Sequence, residues 1–121
     1  MIGRELGSWG ERKAAAYLRR RGYRILEMNY GIRGGEIDII ASRGGYIVFA
    51  EVKLRKNADF AAGREYVHAA KQRRIISTAA YYMAQNETEL QPRFDVIELY
   101  APEGEKSRHV SIEHLENAFE A

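Results

Sequence analysis

Residues 35–55 read GEIDIIASRGGYIVFAEVKLR, and this stretch decides the fold. Two runs of apolar and β-branched residues flank Gly44-Gly45, a pair that is typical of a tight hairpin turn. With these two glycines as the turn, Arg43 pairs with Tyr46 and the register of the whole hairpin follows. The stretch therefore predicts two antiparallel strands whose facing residues can be counted.

Charged side chains fall on one face of this predicted hairpin. Because side chains alternate along a strand, Glu36 and Asp38 share a face with Glu51 and Lys53. The register sets Asp38 across from Glu51 and Glu36 across from Lys53. The opposite face is wholly apolar and consists of Ile37, Ile39, Ala41, Val48, Ala50, Val52 and Leu54. We expect the charged group to lie at one end of an otherwise buried hairpin.

The placement of Asp38 opposite Glu51 is electrostatically unfavourable. Cross-strand neighbours lie roughly 5 Å apart, so the repulsion is on the order of 3–4 kcal/mol at an effective dielectric constant of about 20. A raised pKa on one carboxyl, the Lys53 ammonium or a bound divalent cation would relieve it. Oxygen ligands without His or Cys favour Mg²⁺ or Mn²⁺ over zinc. Such a cation beside a lysine suits phosphodiester hydrolysis. The alternative interpretation is a solvent-facing hairpin end without a catalytic role, with an incidental ion pair between Glu36 and Lys53.

The pattern outside the hairpin predicts the element order αβββαβ and then a tail. Helices are expected over 3–21 and 66–85, and strands over 23–30, 36–42, 46–54 and 93–100. In the tail, the pattern predicts a short edge strand over residues 109–112 and a final helical turn over residues 113–119. The chain is therefore expected to be a single α/β domain over 1–121.

Composition excludes several classes of protein. The chain has 121 residues, of which 45% are hydrophobic and 30% charged, as in ordinary globular domains. It contains no cysteine, which excludes disulfide scaffolds, thiol nucleophiles and zinc sites with sulfur ligands. The longest apolar stretch, Tyr46 to Ala50, is too short to span a bilayer, and the N-terminus lacks a signal-peptide core. We expect a soluble, cytoplasmic protein without a membrane partner.

Charge is unevenly distributed along the chain. The net charge is only +2, but residues 1–24 and 53–74 each carry +5, while 25–52 carries −2. Two basic segments thus flank the acidic hairpin. A basic rim around carboxylates suits an enzyme that acts on a polyanion, although two solvated helix surfaces would give the same pattern.

The two halves of the hairpin, GEIDIIA at 35–41 and VFAEVKLR at 48–55, resemble the signature of the YraN-like proteins, a family of small bacterial proteins. The similarity extends to the first helix and to RFDV at 93–96. It implies the restriction-endonuclease-like fold, an αβββαβ core with a mixed central sheet flanked by helices. One departure is Ile37, which stands where the wider nuclease superfamily has Pro, at a position that supplies no ligand.

This resemblance also implies a catalytic site. PD-(D/E)XK nucleases of this fold have an Asp at the end of one strand and Glu-x-Lys on the next, and Asp38 and Glu51-Val52-Lys53 match these positions. It implies that Asp38, Glu51 and the backbone carbonyl of Val52 bind Mg²⁺ or Mn²⁺, and that Lys53 positions or activates water. Archaeal Holliday-junction resolvases add a Glu from the first helix, and Glu11 occupies the comparable place as a further catalytic and metal-ligating residue.

Five basic residues are candidates for binding nucleic acid. Arg55, Lys56 and Arg64 follow the catalytic strand in a predicted loop, which suits contacts to the DNA backbone. Lys71 and Arg74 lie on one side of the second long helix, where they could contact phosphates or simply form a solvated face.

These features predict a divalent-metal-dependent endonuclease that acts on DNA, including branched or damaged DNA. The alternatives are a non-catalytic DNA-binding module of the same fold, which would assist DNA processing or recombination, and a structural protein whose carboxylates only bind a cation. The intact set of Glu11, Asp38, Glu51 and Lys53 favours the enzyme, because a module freed from catalysis has no need for opposed carboxylates. A homodimer is also considered, to which tail residues such as Leu115 and Phe119 could contribute.

Overall fold

The structure is a computed structural model that describes residues 2–56 and 68–121. Its elements are α1 (Ile2–Arg20), β1 (Arg24–Ile32), β2 (Gly35–Arg43), β3 (Tyr46–Arg55), α2 (Ala69–Gln85), β4 (Gln91–Tyr100), a 3₁₀ turn (Gly104–Lys106) and β5 (Ser111–Phe119). The predicted αβββαβ order is confirmed. The predicted loop and helix start between 57 and 67 lie outside the described residues. Neither described helix combines the length and apolar character needed to cross a membrane.

The five strands form one mixed sheet in the order β1-β2-β3-β4-β5. Neighbouring strands are antiparallel except β3 and β4, which run parallel from Tyr46↔Gln91 to Arg55↔Tyr100. A parallel pair needs a crossover between its strands, and α2 lies within this crossover. The chain therefore leaves β3 at the end of the sheet where the candidate residues Glu51 and Lys53 lie.

Each helix covers one face of the sheet. Strand β3 shows this most clearly, since Ile47 and Phe49 pack with α2, whereas Val48 and Ala50 pack with α1. From α2 the core receives Ile75, Ala79 and Tyr82, and from α1 it receives Ala14, Ala15 and Leu18. Each burial of a large aliphatic or aromatic side chain contributes about 1.5–3 kcal/mol, so both helices are held mainly by their apolar stripes.

The first helix ends where the glycine pattern predicts. Gly22 has φ +88°, a left-handed conformation that glycine adopts without steric cost. The amides of Gly22 and Tyr23 donate to the carbonyls of Arg19 and Leu18, both at 3.0 Å, and satisfy groups that the helix end leaves open. This turn directs the chain into β1.

The alternation of β2 breaks at Asp38, which corrects the predicted apolar face. Ile37 packs in the α2-side core with Ile40, not in the α1-side core with Ile39. On the neighbouring strand, Asn29 lies between the partners of Ile39 and Ile37 and has φ +52°. A left-handed residue rotates the strand, and Asn tolerates this conformation better than most residues. Asp38 therefore lies at a local twist in the sheet.

The predicted final helical turn at 113–119 is wrong, because this segment belongs to β5. The β4–β5 register shifts between Phe94 and Val96, and Asn117 at the irregularity has φ +52°. Such a bulge interrupts the strict alternation that identifies a strand. Phe119 is buried in the α2-side core, and Leu115 is partly buried against it.

Candidate active site

The candidate site forms where β2 separates from β3. The hairpin register is confirmed from Arg43↔Tyr46 to Ile39↔Ala50, but ladder pairing ends there, while β3 continues beside β4. Asp38 and Glu51 are thus not ladder partners. Instead, an Asp38 carboxylate oxygen accepts a hydrogen bond of 2.8 Å from the backbone N–H of Val52. This bond fixes the Asp38 carboxylate against the β3 backbone beside Glu51.

Glu51 is buried with only one of its two carboxylate oxygens satisfied. Its residue exposure is 6%. Lys71 Nζ lies 2.7 Å from Oε1, whereas Oε2 is buried without a hydrogen-bond partner among the described residues. An unsatisfied buried carboxylate oxygen is costly and is rarely tolerated without a functional reason. Oε2 is therefore the atom of this site that most needs a further cation or donor.

The surroundings of Asp38 oppose its ionisation. Burial, followed by the nearby Glu51 carboxylate, raises the pKa of Asp38 to about 8. The negative charge of Glu11 acts in the same direction, while the Val52 N–H and Lys71 oppose it only in part. Two carboxyls in one buried region cannot both ionise at low cost, which makes the pair a candidate functional site.

Lys71 forms an ion pair with Glu51, and Lys53 lies within electrostatic range of both residues. Burial and the neighbouring Lys71 lower the pKa of Lys53, although Glu51 partly compensates. For Lys71, burial also acts to lower the pKa, but the hydrogen bond and charge of Glu51 outweigh it, so the pKa of Lys71 is raised. Lys53 is therefore the lysine more readily deprotonated, and Lys71 is the firm ion-pair partner of Glu51.

A cavity of about 200 Å³ opens over the two carboxyls and Lys71. Its charged lining residues are Glu36, Asp38, Glu51, Lys71 and Arg74, and Lys53 is not among the lining residues. Gly35 also lines it, and a side chain there would collide with Thr78 on α2, so glycine allows β2 and α2 to approach closely. The cavity is large enough to admit a hydrated cation or part of a phosphate group.

The chemistry of these donors fits a hard divalent cation. Asp38 and Glu51 supply carboxylate oxygens, and no described His or Cys lies among the lining residues. The N–H of Val52 points to Asp38, and in an extended strand the carbonyl of the same residue leaves on the same side. The Val52 carbonyl therefore faces the side of β3 on which the carboxylates gather, as the family resemblance implies.

Glu11 is close to the site but does not complete a cage. Its charge contributes to the raised pKa of Asp38, which locates it near that carboxyl. Even so, within residues 2–56 and 68–121 no three His, Cys, Asp or Glu side chains come together closely enough to hold one ion. Glu11 therefore lies within electrostatic range of Asp38 but does not form a three-carboxylate group with Asp38 and Glu51.

The five basic candidates occupy different environments. Lys71 and Arg74 line the cavity, whereas Lys56 is exposed just beyond the end of β3. The Arg55 guanidinium donates to the fully buried Glu98 at 3.0 Å, so its described contact is internal. Arg64 lies outside the described residues.

Sequence reasoning missed the ion pair between Lys71 and Glu51, because the two residues are 20 positions apart and lie on different elements. It also missed a second polar cluster, in which Arg93, His114 and Asn117 surround the buried Asp95. The alternating Arg93-Phe94-Asp95 pattern was the one available signal, since it places an Arg and an Asp on the same strand face.

Replacement of Lys71 by methionine is expected to lower the free energy of unfolding by about 1–3 kcal/mol without metal, because it leaves Glu51 buried and unpaired. Urea denaturation with and without Mn²⁺ measures the free energy of unfolding of each variant. Mn²⁺ should restore more stability to Lys71→Met than it adds to the wild type. Lys56→Met removes an exposed lysine and serves as the control. Equal effects of the two substitutions would contradict the assigned ion pair.

Comparison with known proteins identifies relatives over almost the whole chain. The model of the uncharacterised protein family UPF0102 matches residues 10–99. A UPF0102 protein of Caldanaerobacter subterraneus subsp. tengcongensis is 44% identical over 115 residues, 94% of this chain and 93% of its own length. One from Clostridioides difficile is 43% identical over 98% of this chain and 100% of its own length, and one from Flavobacterium psychrophilum is 36% identical over 95% and 93%. The chain belongs to the UPF0102 family, which confirms its resemblance to the YraN-like proteins.

Proposed function

We propose that this chain is a divalent-metal-dependent endonuclease that hydrolyses phosphodiester bonds in DNA. One observation carries the proposal: Asp38, Glu51 and the two lysines converge where β2 leaves β3, and Oε2 of Glu51 is buried without a partner. Membership of the family leaves the activity open, so the argument rests on the chemistry of these groups.

Asp38, Glu51 and the Val52 carbonyl would hold Mg²⁺ or Mn²⁺. When bound, such an ion polarises a phosphoryl oxygen and lowers the pKa of a bound water. The chain's own contribution is a rigid frame, because Asp38 is held on the β3 backbone and Glu51 is held by Lys71. Two carboxyl groups that are already held in place bind a cation without further ordering of side chains, and the bound cation favours the ionised form of Asp38.

Lys53 is the residue that positions water and removes its proton. Its lowered pKa makes the neutral amine more accessible, and a neutral Nζ can accept a proton. Lys71 and Arg74 line the site cavity with Asp38 and Glu51 and carry the positive charge that would bind the non-bridging oxygens of the scissile phosphate. The roles of base and phosphate binder thus fall to different lysines, in keeping with the opposite shifts of their pKa values.

The direct test is cleavage of labelled DNA as single strand, duplex, flap and four-way junction, each with Mg²⁺, Mn²⁺ or EDTA. We expect metal-dependent cutting that Asp38→Asn and Lys53→Ala each reduce by about a hundredfold or more. As controls, Glu87→Gln removes an exposed carboxylate and Lys106→Ala removes an exposed lysine, and both variants should cut DNA normally. Absence of cleavage on every substrate with both metals would contradict the proposal.

A second candidate is a non-catalytic DNA-binding module. The Lys71–Glu51 ion pair favours it, because it neutralises one carboxylate without any metal. This candidate requires DNA binding that survives Asp38→Asn, weakens steeply with salt and occurs without cleavage. The same samples, run on native gels at two salt concentrations, distinguish it from the enzyme.

A further inference from the structure

A second concavity of about 430 Å³ lies beside the site cavity, between the β1–β2 turn and α2. Arg33 and Gly34 line it from the turn, and Arg73, Arg74 and Ser77 line it from the helix. We call these five residues the arginine groove. Because Arg74 also lines the site cavity, the groove leads directly out of the candidate active site.

The groove is positively charged along most of its length, and only Arg74 borders the carboxyls of the adjoining site cavity. Arg33, Arg73 and Arg74 are exposed, and none of them makes an ion pair with a residue in the parts of the chain that the structure describes. The first turn of α2 contains no acidic residue that could offset them. Clustered arginines without partners attract a polyanion, and planar guanidinium groups suit phosphate oxygens.

An exposed aromatic side chain continues the groove along α2. Tyr81 is four residues beyond Ser77 and therefore lies on the same side of the helix. It is 48% exposed, and only Tyr46, at 44%, is a comparably exposed large apolar residue among those described. Burial and the neighbouring Tyr81 raise the pKa of Tyr30, which locates Tyr81 beside the edge strand β1. A large ring in this position offers a free face for stacking.

We propose that the arginine groove and Tyr81 bind a single-stranded DNA segment that leads away from the scissile phosphate. The arginines bind successive phosphates, and Tyr81 stacks on an unpaired base. This inference rests on the proposed function for the position of the scissile phosphate. Arg74 and Tyr81 are separated by about 10 Å along the helix, a span of a few nucleotides.

The aromatic residue selects for single-stranded DNA over duplex. A base can stack on a protein ring only when it has left the stack of its own helix, so a paired base gains nothing from Tyr81. Arginines alone would bind either form, because phosphate contacts carry no information about pairing. DNA that contains an unpaired arm next to the cleavage point is therefore the substrate class that uses both features.

Fluorescence anisotropy of the wild-type chain in EDTA, with a labelled single strand and its duplex, tests this proposal without any cleavage. The double substitution Arg33→Ala/Arg73→Ala should weaken binding about tenfold and reduce the salt slope by about 1.4 for the single strand. Tyr81→Ala should weaken single-strand binding about tenfold and leave duplex binding nearly unchanged, whereas Tyr81→Phe should bind normally.

Two matched controls separate the groove from general effects. Arg19→Ala/Arg20→Ala removes two exposed charges from the last turn of α1, and Tyr46→Ala removes the other exposed tyrosine. If these controls weaken single-strand binding as much as the groove variants do, the proposal is overturned. The binding assay contains no metal, so its result does not depend on whether the chain is a nuclease. If the wild type cleaves DNA but the groove variants bind the single strand as the wild type does, only the groove proposal is overturned.

Discussion

Replacement of Asp95 by alanine is expected to lower the free energy of unfolding by about 3–5 kcal/mol, since it leaves several buried donors without their acceptor. Asp95 is fully buried. Its carboxylate accepts hydrogen bonds from the Arg93 guanidinium at 2.8 and 2.9 Å and from the Asn117 N–H at 3.0 Å. His114 Nε2 lies 2.6 Å away and must donate, because a carboxylate only accepts.

This carboxylate connects three parts of the structure. Arg93 also donates to the Tyr23 hydroxyl at 2.7 Å, and the other ring nitrogen of His114 lies 3.2 Å from the Tyr17 hydroxyl on α1. Loss of Asp95 therefore weakens the contact of α1 with the sheet as well as the bulge in β5. Urea denaturation followed by circular dichroism measures the effect.

Glu116→Ala is the matched control, because Glu116 pairs with the same arginine at 3.1 Å but is 59% exposed. Its removal should cost less than about 1 kcal/mol. Burial alone would raise the pKa of Asp95, but its bonds to His114, Arg93 and Asn117 outweigh burial and lower it. The stabilisation is therefore complete above the unfolded pKa near 3.9 and is lost as pH falls through the lower folded value. Equal costs for Asp95→Ala and Glu116→Ala at neutral pH would refute this account.

Replacement of Asp38 by asparagine should abolish the proposed metal binding yet make the metal-free protein more stable at pH 8. An amide oxygen can still accept the Val52 N–H, while the substitution removes a charge that burial and Glu51 disfavour. The expected gain is on the order of a few kcal/mol, since one pKa unit corresponds to about 1.4 kcal/mol. A stabilising substitution that destroys a site is the known trade-off between stability and function.

The pH dependence of this gain in stability follows from the raised pKa of Asp38. The pKa of Asp38 is raised from 3.8 to about 8 in the folded chain, so folding favours its neutral form. Its contribution to stability is complete below the unfolded pKa and is lost as pH rises toward 8. Thermal melts in EDTA from pH 4 to pH 9 should therefore show wild type and Asp38→Asn converging in acid and separating as pH rises. A gap that does not change with pH would show that ionisation of Asp38 is not the cause.

Local pattern determined the hairpin. The Gly44-Gly45 turn and the flanking β-rich runs set the register from Arg43↔Tyr46 to Ile39↔Ala50, as the sequence predicted. Gly22 likewise ended the first helix, and the αβββαβ order followed from hydrophobic periodicity. These features depend on backbone preferences and side-chain alternation within a few residues, which is the information that a sequence displays directly.

The tail shows where this local information ends. Leu115 and Phe119 are spaced like residues on one side of a helix, yet they belong to β5. At the bulge, Asn117 has a positive φ and its N–H donates to the buried Asp95 on another strand. Pairing with β4 therefore overrode the local pattern, as tertiary context commonly does.

For the candidate site, the sequence by itself determined which residues are the candidates, namely Asp38, Glu51 and Lys53 in adjacent strands. Only the tertiary structure decided their environment. The twist at Asn29 and Asp38 ended the ladder, and α2 brought Lys71 against Glu51. Burial, ion pairing and pKa values arise from groups distant in the chain that share a low-dielectric space, so they become defined only when the elements pack together.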